Sequence, residues 1–494
     1  MTTLADPPTT RTSELADALR SAVGAQRVLT DRAQLRTYEC DGLANFRVTP
    51  AIVVLVESTQ HVVDTVRLCA ERGVPFVARG AGTGLSGGAL PVAEGVLIVL
   101  SRMRAVRSVD PDNARVVVEP GVINVWVTRE GAPYDLAYAP DPSSQQVCSI
   151  GGNVAENSGG AHCLKYGFTV NHVMGATVVL SDGEVVHLGG PAPEHPGYDL
   201  LGAFVGSEGT LGVATELTLR LVRVPESVQT MLVGFHSVED AGAAVSDIIA
   251  AGILPAAVEM MDALAIEAAE AAVSCGYPEG AQAVLIVELD GPEAEVEAQF
   301  AEVSDIVSHR HAFETRIAAD ATERALMWKG RKSAFAAVGR ISPSYFVQDG
   351  VIPRTMLPEV LGEIDRMADA VGLRVANVFH AGDGNLHPLV LFDDSVAGQA
   401  DDAEKLAGAI LDLCVDSGGS ITGEHGVGHE KKLKMTKQFT DDDLDTMQLV
   451  RCAFDPDGLA NPGKLFPTPR LCGERPRPRT GVHPVQAAGL GDVF

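Results

Sequence analysis

The chain has 494 residues, of which 46% are apolar, 65 are acidic and 38 are basic, so its formal charge is −27 at pH 7. A surface this acidic repels phosphate, which argues against nucleic acid and anionic lipid as partners. The sequence has neither a secretory leader nor an apolar run long enough to span a bilayer, so we expect a cytoplasmic chain that does not itself insert into a membrane.

The first 225 residues alternate predicted strands and helices. We predict a helical lead-in over residues 1–45 and one domain over residues 46–225. The apolar run 51–58 indicates a buried strand, and helical spacing that ends at Gly73 predicts a helix over 61–73. Continued alternation indicates an α/β arrangement in this domain. Further strands are predicted at 74–80, 95–101 and 114–121, a helix at 123–133 and a hairpin at 174–189.

Three glycine-rich segments interrupt this domain, at 79–89, 149–160 and 206–212. Glycine lets backbone N–H groups approach an anion closely, although one such segment is as often a structural turn. The first of them contains neither a P-loop motif nor a GxGxxG placed before a helix, so a P-loop or Rossmann assignment fails. Three together favour a large dinucleotide, and the missing acidic residue for a nicotinamide ribose favours flavin.

The second half mixes strands and helices without strict alternation. Over residues 226–440 this order predicts an α+β domain whose sheet is covered by helices on one face. A hairpin is predicted over 374–392. Residues 441–494 are predicted to return to the first domain and to end in a loosely held tail.

Two short motifs predict a metal site in the second domain. HAGDGNLH places His380 and His387 on opposite arms of a hairpin, and GEHG adds Glu424. The alternative is a polar GDGN turn with incidental histidines. Two imidazoles and a carboxylate suit a divalent metal and leave positions open for substrate, so we expect Zn²⁺ first and Mn²⁺ or Fe²⁺ as alternatives. His425, beside the carboxylate, is the predicted general base.

A basic cluster lies upstream, in the segment 323–335. Such a cluster is usually a solvated helix face. In so acidic a chain we instead predict that Arg331 holds a substrate carboxylate, because a guanidinium can bind it through two parallel hydrogen bonds.

These motifs resemble those of the FAD-linked subunits of bacterial glycolate oxidase, within the vanillyl-alcohol oxidase type of flavoproteins. The segments RGAGTGLSGGALP, CSIGGNVAENSGG, NVFHAGDGNLHP and GEHGVG carry the resemblance, which runs from about residue 38 to 467. It implies an α+β fold: a two-part FAD-binding domain followed by a substrate cap domain with an antiparallel sheet. D-lactate and D-2-hydroxyglutarate dehydrogenases are neighbouring families.

The resemblance also implies the cofactor residues. The pyrophosphate of FAD would lie on Arg79, Gly80, Ala81, Gly82, Thr83, Gly84, Leu85 and Ser86, and the rest of FAD on Pro140, Ser144, Gly151, Gly152, Asn157, Glu208 and Val213. The first glycine segment has no His or Cys for covalent attachment, so non-covalent FAD is expected. None of the eight cysteines forms CxxC, which argues against an internal iron–sulfur cluster. Electrons would therefore pass to a second flavin-type subunit and an iron–sulfur subunit.

The resemblance finally implies the reaction, the oxidation of a small D-2-hydroxy acid to the 2-oxo acid. Hydroxyglutarate-specific relatives carry Lys and Asn where this chain has Val347 and Leu389. Both differences favour glycolate or D-lactate as substrate. The alternatives are a stand-alone D-lactate or D-2-hydroxyglutarate dehydrogenase and, in another class, a non-catalytic flavin scaffold of an electron-transfer complex.

Overall fold

The computed structural model describes residues 10–192 and 197–467 of the chain. The predicted tail lies outside the described residues. Within them, no helix is both long enough and apolar enough to cross a membrane.

The first part of the N-terminal domain is a four-stranded sheet in the order β1-β2-β4-β3. Strands β2, β4 and β3 are parallel, and β1 joins antiparallel to β2, so the predicted lead-in contributes a strand as well as helices. Its elements are α1 (Thr10–Val23), β1 (Val28–Leu29), α2 (Arg32–Leu35), β2 (Ile52–Leu55), α3 (Thr59–Arg72), β3 (Phe76–Arg79) and β4 (Val96–Val99).

The second part is a five-stranded sheet in the order β5-β6-β10-β8-β9, and all its pairings are antiparallel. The predicted hairpin at 174–189 forms β8 and β9. The elements are β5 (Val106–Asp110), β6 (Arg115–Val118), α4 (Asn124–Gly131), β7 (Leu136–Ala137), α5 (Ile150–Glu156), α6 (Cys163–Tyr166), β8 (Val173–Val179), β9 (Val185–Gly189), α7 (Leu200–Phe204), β10 (Val213–Arg220) and β11 (Val222–Arg223).

The second glycine-rich segment is partly a helix, where the sequence suggested a loop. Ser149 caps α5, because its hydroxyl accepts a hydrogen bond from the Gly152 N–H, and Asn157 ends the helix in the left-handed conformation at φ 52°. Gly80 must lack a side chain here, since a Cβ would lie 2.1 Å from the Ser149 hydroxyl oxygen. The glycine pattern thus serves close packing of two segments as well as backbone freedom.

The C-terminal domain is built on a nine-stranded sheet. Its central strands run β15-β12-β14-β13-β18, all antiparallel. The elements are β12 (Ser227–Phe235), α8 (Val238–Ala250), β13 (Ala257–Asp262), α9 (Ala263–Val273), β14 (Ala283–Gly291), α10 (Glu293–His309), β15 (Glu314–Ile317), α11 (Ala321–Val338), β16 (Ser344–Val347), β17 (Gly350–Val351), α12 (Leu357–Val371), β18 (Arg374–His380), β19 (Asn385–Leu386), β20 (Pro388–Phe392), α13 (Gln399–Asp416), α14 (Met435–Gln438) and α15 (Asp441–Phe454).

Helices cover both faces of this sheet, so the prediction of one covered face is wrong. Successive residues of a strand face opposite sides. Met231 and Val233 of β12 pack in a core with α8, α10, α12 and α13, whereas Leu232 packs in a second core with α9 and α11. β12, β13 and β14 are buried along most of their length, which reads in sequence as unbroken apolar runs rather than as alternation.

The two domains meet through a polar seam. His162 lies 3.0 Å from both Asp141 and Glu288, and the Tyr166 hydroxyl donates to Asp290 at 2.6 Å. Asp141, His162 and Tyr166 belong to the first domain and the other two residues to β14. The seam fixes how the cap domain sits over the first domain.

The C-terminal segment packs against the first domain. Ala460 forms a parallel bridge with Phe76 of β3. The Asn461 side-chain amide donates to the carbonyls of Gly88 and Glu208 at 2.9 and 2.6 Å. The segment therefore covers the edge of β3 beside the first glycine-rich segment.

Candidate active site

A cavity of about 570 Å³ has walls from both domains. Its lining includes residues 79–85 of the first glycine-rich segment and, from the cap domain, His387, Glu424 and His425. A ligand that fills the cavity therefore contacts the glycine-rich segment and the histidine cluster at once.

Most residues predicted for FAD line this cavity. They are Arg79, Gly80, Ala81, Gly82, Thr83, Gly84, Leu85, Ser144, Gly151, Gly152, Glu208 and Val213. The other three form internal contacts. Ser86 lies 3.5 Å from Glu156, the Pro140 carbonyl accepts from Asn124, and the Asn157 side chain accepts from the Val170 N–H. Contact with FAD stays a prediction for each of them.

Arg79 makes internal hydrogen bonds as well as lining the cavity. Its guanidinium donates to the carbonyls of Tyr38 and Cys40, at 3.3 and 2.6 Å. These bonds tie the first glycine-rich segment to the lead-in, whose residues 42–45 also line the cavity. That wall could not be predicted, because residues 42–45, GLAN, have neither glycine clustering nor a charge.

The predicted metal residues come together in a compact cluster. Glu424 Oε1 lies 3.2 Å from His380 Nε2 and 3.1 Å from His387 Nε2. The ligand atoms of the three side chains all lie within 4.8 Å of one another. The hairpin explains the meeting: His380 ends β18 and pairs with Asn385, and His387 follows β19. Burial would raise the pKa of Glu424, but His380 and His387 hold it well below its usual range.

A glutamate that the sequence did not reveal supports His380. Glu259 of β13 is the cross-strand partner of His380, and its Oε1 lies 2.7 Å from His380 Nδ1. With Nδ1 occupied, Nε2 is the nitrogen left to bind a metal. Glu259 Oε2 lies 2.7 Å from Arg331 Nε, and both side chains are almost fully buried.

Arg331 therefore has a structural partner beyond its predicted role. It is not among the residues that line the cavity, which Lys332 and Phe335 reach instead. Its Nη2 is buried with no hydrogen-bond partner among the described residues. The prediction that Arg331 binds a substrate carboxylate stays a prediction.

A second carboxylate, Asp349, lies behind His387 and His425. The three side chains form another group of suitable size for a metal. Asp349, however, already accepts hydrogen bonds from several N–H groups and from Lys431 Nζ at 3.1 Å. Burial would raise the pKa of Asp349, but the positive charge of Lys431, above all, holds it below its ordinary value. The set His380, His387 and Glu424 is thus the better metal site.

His425 is stacked on His387, with ring centroids 4.8 Å apart and planes 5° apart. Its Nε2 lies 4.0 Å from Glu424 Oε1, and Nδ1 has no hydrogen-bond partner among residues that the structure describes. Burial lowers the pKa of His425 to about 4. The ring is therefore neutral at pH 7 and adjoins the group of His380, His387 and Glu424.

The two residues that suggested a small substrate occupy different environments. Val347 lines the cavity. Leu389, its cross-strand partner, is fully buried in the core beneath α9 and α11 and is not part of the cavity wall. Only Val347 can therefore bear directly on the size of the substrate.

Comparison with known proteins defines the class of the chain. Residues 50–189 match the family of the FAD binding domain, and residues 224–465 match the C-terminal domain of FAD linked oxidases. The chain belongs to the FAD-linked oxidases, and FAD is its cofactor.

Relatives narrow the position within that class. The chain is 51% identical over 468 residues to the glycolate oxidase subunit GlcD of Escherichia coli K12, covering 95% of this chain and 94% of the relative. It is 35% identical to GlcD of Bacillus subtilis, over 92% and 97% of the two chains. A D-lactate dehydrogenase of Anaerostipes hadrus is 31% identical, over 90% and 95%. The resemblance seen in the sequence is confirmed.

Solved structures confirm the fold. The 4-ethylphenol oxidase of Gulosibacter chungangensis superposes with a TM-score of 0.76 at 18% identity, over 94% of this chain and 99% of that chain. p-Cresol methylhydroxylase gives 0.75 at 16% identity, over 92% and 97%. The prediction of a two-part FAD domain with an α+β cap is correct.

Proposed function

We propose that the chain oxidises a small 2-hydroxy acid, glycolate or D-lactate, to the 2-oxo acid. The observation that carries this proposal is the shared cavity, whose walls include both the glycine-rich segment and the His387–Glu424–His425 group. The names of the relatives, glycolate oxidase subunit and D-lactate dehydrogenase, supply the substrate class. A non-catalytic flavin scaffold would have no use for a histidine–carboxylate cluster in contact with the cofactor cavity.

The donor set of the cluster fits a divalent metal. The ligand atoms of two imidazoles and a carboxylate all lie within 4.8 Å of one another. Glu259 orients His380 so that its Nε2 faces the other two ligand atoms. His380, His387 and Glu424 would hold the ion, Zn²⁺ first and Mn²⁺ or Fe²⁺ as alternatives. A bound divalent ion supplies Lewis acidity that lowers the pKa of a substrate hydroxyl.

His425 would accept the proton of that hydroxyl. It is neutral, buried and adjacent to Glu424, and its Nδ1 has no protein partner among the described residues. A neutral imidazole with an unpartnered ring nitrogen could accept the proton of a substrate hydroxyl held beside the cluster. The chemistry that bound FAD would supply is acceptance of the hydride from the substrate carbon.

Arg331 would bind the substrate carboxylate through Nη2. A buried guanidinium nitrogen without a partner costs free energy unless a ligand satisfies it. Arg331 and His380 share Glu259, which keeps the guanidinium close to the cluster. An anion near the metal ligands would therefore find a cation already in place.

We further infer that FAD is held non-covalently, because the residues 79–89 contain no attachment side chain. Acid precipitation of the purified yellow protein should release intact FAD to the supernatant. Flavin that stays with the precipitate would contradict this inference. The subunit names of the GlcD relatives support partner chains as electron acceptors, and we propose a second flavin-type subunit and an iron–sulfur subunit.

The reaction is tested by steady-state reduction of an artificial dye with glycolate, D-lactate, L-lactate and D-2-hydroxyglutarate. We expect glycolate or D-lactate to give the highest kcat/KM. D-2-hydroxyglutarate would set its second carboxylate against Val347, and an uncompensated buried charge costs several kcal/mol, or about 10³-fold. Val347→Lys should selectively raise kcat/KM for D-2-hydroxyglutarate. Wild type that prefers D-2-hydroxyglutarate would move the chain to the neighbouring activity.

A further inference from the structure

Asp349 is a completely buried carboxylate that collects hydrogen bonds from one short loop. Its own exposure is 0%. The donors are Thr422 Oγ1 at 2.5 Å, Gly423 N at 3.0 Å, Glu424 N at 3.1 Å, His425 N at 2.9 Å and Lys431 Nζ at 3.1 Å. Three consecutive backbone N–H groups thus converge on the two oxygens of one side chain.

This convergence fixes the backbone of the residues that carry the chemistry. Glu424 supplies the carboxylate of the metal cluster, and His425 is the adjacent ring. Because Asp349 accepts hydrogen bonds from both N–H groups, it holds the backbone from which the two side chains extend in one conformation. Asp349 Oδ1 also lies 3.8 Å from His387 Nδ1, which has no hydrogen-bond partner in the described part of the chain.

The far end of the same loop is held from the other domain. Glu208 accepts hydrogen bonds from the Val427 and Gly428 N–H groups, both at 2.7 Å. Burial raises the pKa of Glu208 to about 7, so at pH 7 Glu208 carries less negative charge than Asp349 does. Gly426, between the two anchors, has φ 84°, and a Cβ there would lie 2.3 Å from Glu156 Oε2. The loop therefore has little freedom to relax.

We propose that Asp349, with Lys431 as its counter-ion, is the positioning residue for Glu424 and His425. The inference rests on the proposed function, in which Glu424 binds a metal and His425 accepts a proton. Asp349 itself stays outside the set of metal ligands, because its lone pairs are already directed to the loop and to Lys431. Its loss should misplace two groups of the site together and leave the FAD cavity in place.

The test compares Asp349→Asn with a matched control, Asp455→Asn. Asp455 is also fully buried, accepts backbone N–H groups from Leu459 and Ala460 and pairs with Arg451, but it lies in the C-terminal segment. Each full-length protein is stripped with a chelator and titrated with Zn²⁺ against a chromophoric competitor. Flavin content is read from its absorbance, and kcat is measured at saturating Zn²⁺.

Asp349→Asn should keep its FAD, bind Zn²⁺ about 10–100-fold more weakly and lose about 10²-fold in kcat even when the metal is restored. Asp455→Asn should match wild type within about twofold in both quantities, although it melts earlier. A conservative pair covers the case in which Asp349→Asn does not fold. Thr422→Val removes one donor and should weaken Zn²⁺ binding, whereas Thr422→Ser keeps the hydroxyl and should restore it.

The outcomes separate the two proposals. Wild type that binds none of Zn²⁺, Mn²⁺ and Fe²⁺, or that turns over fully without metal, overturns the metal role in the proposed function. Wild type that requires Zn²⁺, together with Asp349→Asn of unchanged affinity and kcat, overturns the positioning role alone. Loss of FAD in Asp349→Asn also overturns the positioning role, because the carboxylate would then serve the fold and not the site. If Asp349→Asn does not fold, equal Zn²⁺ affinity in Thr422→Val and wild type overturns the positioning role.

Discussion

The pair Glu259–Arg331 allows a quantitative prediction. Glu259→Gln removes a carboxylate that lies 2.7 Å from Arg331 Nε and 2.7 Å from His380 Nδ1, with 1% and 3% of the Glu259 and Arg331 side chains exposed. Breaking a buried ion pair from one side costs about 3–5 kcal/mol, because the remaining charge is left without compensation. At about 2–4 °C per kcal/mol for a unit of roughly 200 residues, the melting temperature of the metal-free protein should fall by about 6–20 °C.

The double variant Glu259→Gln/Arg331→Met separates stability from metal binding. Removing both charges eliminates the unpaired guanidinium, so most of the lost stability should return. His380 still lacks its carboxylate partner, so Zn²⁺ affinity should stay about 10–100-fold below that of wild type. Thermal melts followed by circular dichroism measure stability, and competition with a chromophoric chelator measures affinity. A single variant that melts within about 2 °C of wild type would refute the reasoning, as would full Zn²⁺ affinity in the double variant.

Three further results are expected. Glu424→Gln should abolish turnover while bound FAD is retained, and full activity of a preparation shown by elemental analysis to be metal-free would contradict the metal site. His425→Ala should lower kcat by about 10²–10⁴-fold with metal retained; loss of the metal instead would make His425 a ligand. Burial raises the pKa of Asp262 from 3.8 to about 6, so the folded state binds the Asp262 proton more tightly than the unfolded state. The stability that this proton contributes is fully present below about pH 4 and is lost as the pH rises through 6. Wild type should therefore lose melting temperature relative to Asp262→Asn between pH 4 and 6, and a difference that does not change with pH would rule this out.

The sequence predicted those parts of the site that short motifs encode. HAGDGNLH places two histidines on one hairpin, and the antiparallel register brings them together as expected. The three glycine-rich segments supply half of the residues that line the cavity. Both signals are local, because the residues that meet are near one another in the chain or carry an unusual composition.

The supporting carboxylates could not be predicted in this way. Glu259 and Asp349 lie 121 and 76 residues before the groups they bind, His380 and His425. Each stands in an apolar strand or at its end, where a single acidic residue has no pattern around it. The partner of Glu259 is decided by sheet order, which brings β13 beside β18, whereas Asp349 meets a loop that lies far from it in the chain. The helices on the second face of the sheet could not be predicted either, because strands buried on both faces show no alternation of apolar and polar residues.

The edge of β3 is completed by a part of the chain made much later. Gly88 and Asn461, which are hydrogen-bonded, stand 373 residues apart, and Phe76 exchanges backbone hydrogen bonds with Leu459 and Asn461. At about 5–20 residues per second, a ribosome needs roughly 20–75 s to deliver that segment after the glycine-rich one. During this interval the nascent first domain exposes an unpaired strand edge, the kind of surface on which chains aggregate. We therefore expect the first domain to be most prone to aggregation before the C-terminal segment has been synthesised.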